Sequence, residues 1–535
     1  MNKVLIYDTT LRDGTQSEDF QVSVPEKLML AELLDDFGVA YIEGGWPGSN
    51  PRDEAFFREA RSLKLRHARL AAFGATRRAK MSCDEDPSIQ ALVSAETPVV
   101  TIFGKASRYQ STAALGITPE KNLELVYDSV RYLKERVDEV IFDAEHFFDG
   151  ARADEEYSMA VLKAAAEAGA DFLVLCDTNG GSLPSEVSKL TERVRAAYDT
   201  ALGIHTHNDA GLAVANSLVA VEAGAIMIQG TVNGYGERCG NANLVSIIPN
   251  LELKMGLRCV PDGRLSRLNQ LSRTVDEVSN YVPSASQPYV GRRAFSHKGG
   301  VHINAVMKDP KTYEHVEPEK VGNRRRILAS DLSGYSTIIF KAREFGIDLD
   351  PNDPWTRQVL ERIKALEYQG YQFEGAEASL LLLMHEARGS RQRYFSFEKA
   401  TVTTEMGVDD KDATVPGSST ADVTLQIAGK VAQCSKEGNG PVHALSSACR
   451  EIVEEAYPEA VGVRLIDYKV RILSKGMGFA SMVRVLIRAT DGKDVWGTVG
   501  VSTSVVEASR SAIVDAFDFK LMKVGAKPLQ QKAVG

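Results

Sequence analysis

Cysteine is scarce in this chain, six residues among 535 and no C-x-x-C pair, which excludes a disulfide framework and fits reduced thiols in a cytoplasmic protein. Long apolar runs are also missing. The stretch Leu380-Leu381-Leu382-Leu383-Met384 meets charges within a few positions, far short of the roughly 20 residues a membrane span needs. Only Val4-Leu5-Ile6 precede Tyr7-Asp8 at the N-terminus, too little for the apolar core of a secretory signal. Positive charge is not in excess: the net charge is −9, which argues against a general nucleic-acid binder. No G-x-G-x-x-G follows the first apolar run, which weighs against a doubly wound dinucleotide-binding sheet, the competing α/β architecture.

What remains is a globular composition, 44% hydrophobic and 25% charged, on a chain long enough for about three domains. In the first half, short β-rich runs recur at 4–7, 39–42, 70–73, 99–103, 139–142, 172–175, 202–204 and 226–228. Amphipathic segments at 25–37, 119–136, 155–168 and 184–198 lie between them. Pro25, Pro119 and Pro184 suit first helical turns, and Gly38 and Gly169 suit helix ends. Eight strands alternating with helices predict a (β/α)8 TIM barrel of about 250 residues.

A barrel of this kind gathers its chemistry just past the C-terminal ends of the strands. Polar residues stand at those places repeatedly: Arg12 and Asp13, Glu43, Lys105, Glu145 and His146, Asp177 and Thr178, His205 and His207, and then Asn233, Glu237, Arg238 and Asn241. His205 and His207 are two apart, so a strand would turn both imidazoles to one face. With Asp13 they supply a carboxylate and two imidazoles, a set able to hold a divalent metal (zinc, manganese or magnesium) with positions left open for substrate. Such a site suits Lewis-acid chemistry on the carbonyl of a 2-oxo acid. Arg12 could steady the oxyanion that forms, and Glu145 could hold or remove a proton. The plainer alternative for Arg12 is a salt bridge to Glu43 or Glu145 that only closes the barrel.

The runs DTTLRDGTQ (Asp8 to Gln16), HTHND (His205 to Asp209) and NGYGERCGNANL (Asn233 to Leu244) resemble the 2-isopropylmalate, homocitrate and citramalate synthase family. Its members share a metal-dependent TIM barrel related to hydroxymethylglutaryl-CoA lyase, and they condense acetyl-CoA with a 2-oxo acid before hydrolysing the thioester. The resemblance implies Asp13, His205 and His207 as metal ligands and Asn241 as a fourth or near ligand. It implies Arg12 as the catalytic arginine, Thr178 as a carboxylate-binding residue and Glu145 as a catalytic acidic residue. The lyase branch carries a catalytic cysteine near the position of Cys239. The surrounding GERCGN follows the synthases, in which this position varies, so the resemblance implies that Cys239 is a bystander.

Beyond about Pro283, glycines and cations from Gly291 to His302 and from Gly322 to Arg326 read either as a solvated linker or as a segment able to fold over an anionic CoA thioester. GGVH and TYE match the linker subdomain of the synthases. The match implies His302 and Tyr313 as partners in proton transfer and hydrolysis, in cis or from the second subunit of a homodimer. A helical stretch from Asp331 to Glu386 follows, interrupted near Pro351 and Pro354. From about Arg391, strands and two helices suggest a separate α/β domain. Gly438 to Leu445 and Gly497 to Ser509 set small residues, Gly438, Gly440, Gly500 and Ser502 among them, ahead of helix starts suited to a carboxylate. Either run alone is explained as an ordinary helix start; together they resemble the family's amino-acid-binding allosteric domain. The expected division is a catalytic barrel at 1–282, a linker subdomain over its mouth at 283–330, a helical subdomain at 331–390 and an allosteric dimerisation domain at 391–535.

Details at Ile42–Pro47, Phe103–Lys105, Phe142–Gly150 and Asn323–Arg326 are closest to the citramalate-forming branch. That implies pyruvate as acceptor and isoleucine as feedback effector, with Trp46, Phe147 and Phe148 narrowing the pocket. The alternatives are 2-oxoisovalerate with leucine control, as in 2-isopropylmalate synthases, and a non-catalytic metal-binding amino-acid sensor.

Overall fold

Eight parallel strands run in chain order around a closed barrel in the computed structural model, which describes residues 3–328, 335–347, 354–405, 417–473 and 481–528. They are β1 (Leu5–Asp8), β2 (Tyr41–Gly45), β3 (Arg69–Ala75), β4 (Val99–Lys105), β5 (Glu139–Glu145), β6 (Phe172–Asp177), β7 (Ala201–Thr206) and β8 (Met227–Gly230). Pairing of β1 with β8 closes the ring. Around it lie α1 (Val24–Phe37), α2 (Pro51–Ala60), α3 (Pro87–Ser94), α4 (Pro119–Lys134), α5 (Phe147–Glu167), α6 (Pro184–Ala197), α7 (Ala213–Glu222), α8 (Leu244–Leu253) and α9 (Leu268–Val278). Pro25, Pro119 and Pro184 occupy first turns, where no N–H is missed. Gly38 ends α1 at φ 97°, a left-handed position that favours glycine.

Strand alternation explains why the barrel is stable below and reactive above. Ile6, Ile42, Val100, Phe142, Leu173 and Ile204 join the core between strands and helices, while Tyr7, Tyr41, Val99, Ile141, Val174 and Met227 form a separate inner cluster. Towards the C-terminal ends the buried set includes Glu43, Thr101, Asp143, Gln229 and His205. Hence several strands are longer than their apolar runs. Glu43 lies inside β2, and Lys105, Glu145 and Asp177 are the last residues of β4, β5 and β6, not loop residues. The helix expected from 155 starts at Phe147. Asp154 breaks it with a non-helical backbone, and its carboxylate accepts the Tyr157 N–H at 3.1 Å to cap the second segment.

The chain forms two compact units, one ending at Phe295 and taking in His315–Arg325, the other made of Ser296–Glu314 and everything from Arg326 onward. The first unit includes Val321, wholly buried in the barrel's core, and Asn323, whose amide donates to the carbonyls of Tyr289 and Gly291. The second unit opens with a short parallel pair, β9 (Ser296–His297) and β10 (Arg326–Ile327), and α10 (Gly300–Lys308). α11 (Tyr335–Glu344), α12 (Pro354–Tyr368) and α13 (Glu377–Ala387) share a core that includes Ile338, Ile363 and Met384. Asp331–Gly334 and Pro351 lie outside the described residues, whereas Pro354 opens α12.

Two three-stranded antiparallel sheets complete this unit: β11 (Ser396–Glu405), β12 (Ser418–Ile427) and β13 (Lys430–Gly438), then β14 (Arg464–Ile472), β15 (Val483–Thr490) and β16 (Val495–Ser502). α14 (Pro441–Ala456) packs on the first sheet and α15 (Val505–Lys523) on the second. All six cysteines are free, and no helix among the described residues is long and apolar enough to cross a membrane.

Candidate active site

The turn after β1 is built by Asp8, whose buried carboxylate accepts the Thr10 N–H at 2.9 Å and the Thr10 hydroxyl at 3.0 Å. That turn carries Arg12 and Asp13 over the barrel mouth. Asp13 Oδ2 lies 3.5 Å from His205 Nε2 and 4.0 Å from His207 Nε2, and all three side chains are buried. One ligand atom from each falls within 4.8 Å of the others. Asn241 is drawn in by a backbone bridge to His207. The loop after β8 winds tightly around it, since a Cβ on Gly236 would stand 2.1 Å from Asn241 Nδ2.

This donor set fits a divalent metal. Asn241 Oδ1 is buried with no hydrogen-bond partner among the described residues, leaving an acceptor free beside the three ligands. Burial pushes His205 down to about 3, with His207 adding to the effect, and burial likewise lowers His207. In both rings burial disfavours the imidazolium, which leaves one ring nitrogen with a lone pair, as ligation requires. Burial works to raise Asp13, but Arg12, His205 and His207 together hold it below the ordinary carboxylate range.

Arg12 is gripped on two sides. Its Nε donates to Glu43 Oε1 at 2.6 Å, and its guanidinium carbon stands 3.7 Å from the centre of the Phe73 ring. Glu43 is held in turn by the Tyr7 hydroxyl at 2.8 Å. The salt bridge to Glu43 thus exists, but it points the guanidinium along the mouth, with Nη1 3.6 Å from Asp13 Oδ2. Glu145 pairs instead with Lys105, its partner in the register of β4 and β5. Thr178 Oγ1 accepts the His146 N–H at 2.8 Å, which leaves the hydroxyl hydrogen free to donate. His146 pays for that contact with a left-handed backbone, φ 61°, strain of the kind found at functional turns. Arg238 ties neighbouring loops together, donating to Asp209 at 2.8 Å and to the Thr178 carbonyl at 2.8 Å.

A cavity of about 230 Å³ opens here, lined by Arg12, Asp13, Glu145, Thr178, His205, His207, Arg238 and an aromatic wall of Trp46, Phe73 and Phe103. Asp53 places Trp46, accepting its N–H at 3.0 Å while forming a buried ion pair with Lys27 at 2.7 Å. The ring centres of the wall lie 5.5–5.7 Å apart. Phe147 and Phe148, expected to narrow the pocket, are fully buried in the barrel's outer core and do not line it. Alternation within β3 and β4 puts Phe73 and Phe103 there instead. Cys239 is exposed and is absent from the lining.

His302 and Tyr313 belong to the second unit, with ring centres 4.2 Å apart. In the same unit Gly438 ends β13, Gly440 precedes α14, and Gly500 and Ser502 lie near the end of β16. Gly500 has a packing reason: a Cβ there would stand 1.9 Å from the Ala508 carbonyl oxygen on α15. Gly440 has open space around it.

Residues 3–275 match the HMGL-like family, 289–370 the homocitrate synthase post-HMGL domain-like family and 374–521 the LeuA allosteric (dimerisation) domain. The chain is 51% identical to the (R)-citramalate synthase of Geobacter sulfurreducens over 98% of each chain. It is 44% identical to that of Synechocystis over 99% of this chain and 98% of the relative. It is similar at 32% identity to the 2-isopropylmalate synthase of Oceanobacillus iheyensis, over 96% of each.

Proposed function

The chain belongs to the (R)-citramalate synthase family and is an acyltransferase with an allosteric domain, and from that premise we propose that its barrel mouth condenses acetyl-CoA with pyruvate and releases CoA. The Asp13–His205–His207 set beside the clamped Arg12, facing a small aromatic-walled cavity, carries this function. A divalent metal held by these three residues and Asn241 would polarise the 2-oxo group of pyruvate and anchor its carboxylate.

The other steps belong to the chain's own side chains. The free hydroxyl hydrogen of Thr178 donates to the pyruvate carboxylate. Glu145, held by Lys105, takes a proton from the acetyl methyl group. The resulting carbon attacks the carbonyl, and the Arg12 guanidinium stabilises the oxygen as its charge grows. Water then cleaves the thioester, with His302 and Tyr313 assisting. Trp46, Phe73 and Phe103 favour the smallest acyl group.

CoA release measured in parallel with pyruvate, 2-oxoisovalerate and 2-oxoglutarate tests this assignment: pyruvate should be fastest, and no release with any of the three would leave a sensor. Phe103→Ala should open the wall and move the preference towards 2-oxoisovalerate by about tenfold or more, the effect of a few methylenes. An unchanged ratio would place acceptor selection elsewhere.

Control belongs to the second unit, with isoleucine as effector in a cytoplasmic biosynthetic homodimer. Beside α14 and β14 a cavity of about 360 Å³ combines Arg450, Arg464 and Ser446 with Val442, Leu465 and Phe517, chemistry suited to an apolar amino acid. On β14, Ile466, Tyr468, Val470 and Ile472 present an exposed apolar row, which supports pairing with a second copy. Gly440→Asp sets a negative charge at the start of α14 without a clash, whereas aspartate at Gly500 would disrupt packing. The Gly440→Asp enzyme should keep basal condensation and lose inhibition by isoleucine. An unshifted inhibition curve would remove the Gly438–Gly440 turn from the effector site.

A further inference from the structure

We propose that Gln229 and Asp143 are positioning residues of the metal centre, fixing the His205 ring so that Nδ1 carries the hydrogen and Nε2 presents its lone pair to the cation. The proposal rests on reading Asp13, His205 and His207 as ligands. His205 on β7 and Gln229 on β8 are partners in the parallel register, so both side chains leave the sheet on the same face, towards the barrel interior. Across that interior, Gln229 Nε2 donates to Asp143 Oδ1 on β5 at 2.8 Å. A primary amide has one donor end and one acceptor end. With the amide nitrogen turned to Asp143, the opposite end of Gln229 carries Oε1, the acceptor left for another neighbour.

Two orphan atoms complete the chain. Gln229 Oε1 and His205 Nδ1 are both buried, and neither has a partner at hydrogen-bond geometry among the described residues. The two residues are nonetheless neighbours, paired in the register of β7 and β8 with their side chains on the same face of the barrel. An acceptor beside Nδ1 demands a hydrogen there. That leaves Nε2, the nitrogen 3.5 Å from Asp13 Oδ2, free to bind metal. Residues on three strands thus act as one device: β5 orients an amide on β8, and the amide orients a ligand on β7. Partners of this kind hold a ligand's tautomer and raise its basicity.

The test uses the full-length protein and zinc as the probe. Gln229→Met, close in volume and without the amide, should weaken zinc binding about 10- to 100-fold in a chelator competition. Thermal unfolding of the metal-free protein serves as the fold control. Nitrogen NMR of the zinc-free parent should find His205 protonated at Nδ1. A Gln229→Met protein that binds zinc within about threefold of the parent would overturn the proposal, since an orienting partner is worth more than that. So would a parent spectrum with the hydrogen on Nε2, a measurement that decides the matter even if the methionine variant does not fold. Loss of zinc binding in the parent after His207→Ala, with Gln229→Met unaffected, would retain the metal site and remove only this device.

Discussion

Alanine at His207 should remove bound metal and CoA release together. The three ligand side chains are buried and converge within 4.8 Å, so losing one leaves a carboxylate, one imidazole and the weaker amide oxygen of Asn241. A catalytic metal site takes about three protein ligands to fix charge and geometry while one position stays open. Metal analysis of the purified variant and thiol detection of CoA give the two readings. A third is thermal: a metal that binds only the folded chain raises its melting temperature, and the His207→Ala protein should lose that difference between metal-loaded and metal-free samples. Full activity with unchanged metal content would remove Asp13, His205 and His207 from the mechanism.

Arg12→Lys separates charge from shape. The lysine keeps one positive charge but cannot donate from Nε to Glu43 while presenting two further nitrogens, and it loses the flat face that rests on Phe73. Removing one donor to a developing oxyanion costs about 100- to 1,000-fold in kcat, roughly 2.7–4 kcal/mol. The expected result is a fall of that size with metal content near normal. The site's pKa pattern supports the separation: burial works against the Arg12 charge, but Glu43 and Asp13 more than offset it, so the guanidinium stays charged at any working pH. Turnover equal to the parent would make Arg12 a structural tie to Glu43 and nothing more.

Much of this was legible in the chain itself, and the misses have physical reasons. The eight strands announce themselves by apolar runs between helices with proline starts, and the His205–His207 spacing needs only a strand to bring the imidazoles together. Glu43 lies inside β2 although the apolar run stops before it, because polar groups in the upper barrel interior break that pattern before the strand ends. Phe147 and Phe148 look like pocket residues by position, yet α5 starts at Phe147 and turns both into the core. Gln229 and Asp143 give no sequence signal at all. Their meaning depends on β5, β7 and β8 facing one interior, which is a property of the closed ring. Gly500 lies close against α15, a packing demand that shows only once β16 and that helix are folded together.

The way the two units share the chain bears on how the protein is made and inherited. The backbone passes from one unit to the other three times, after Phe295, Glu314 and Arg325. A ribosome that has finished β8 and α9 has therefore not finished the barrel's unit, which waits for Val321 to enter its core and for Asn323 to close on Tyr289 and Gly291. By then the first piece of the other unit, Ser296–Glu314, has already been synthesised. A gene split or recombined at the apparent end of the barrel would hand on a core with a missing plug. A crossover just after Arg325 keeps the barrel's unit whole, but the other unit then takes Ser296–Glu314 from one parent and the rest from the other, so β9 and β10 must still fit each other.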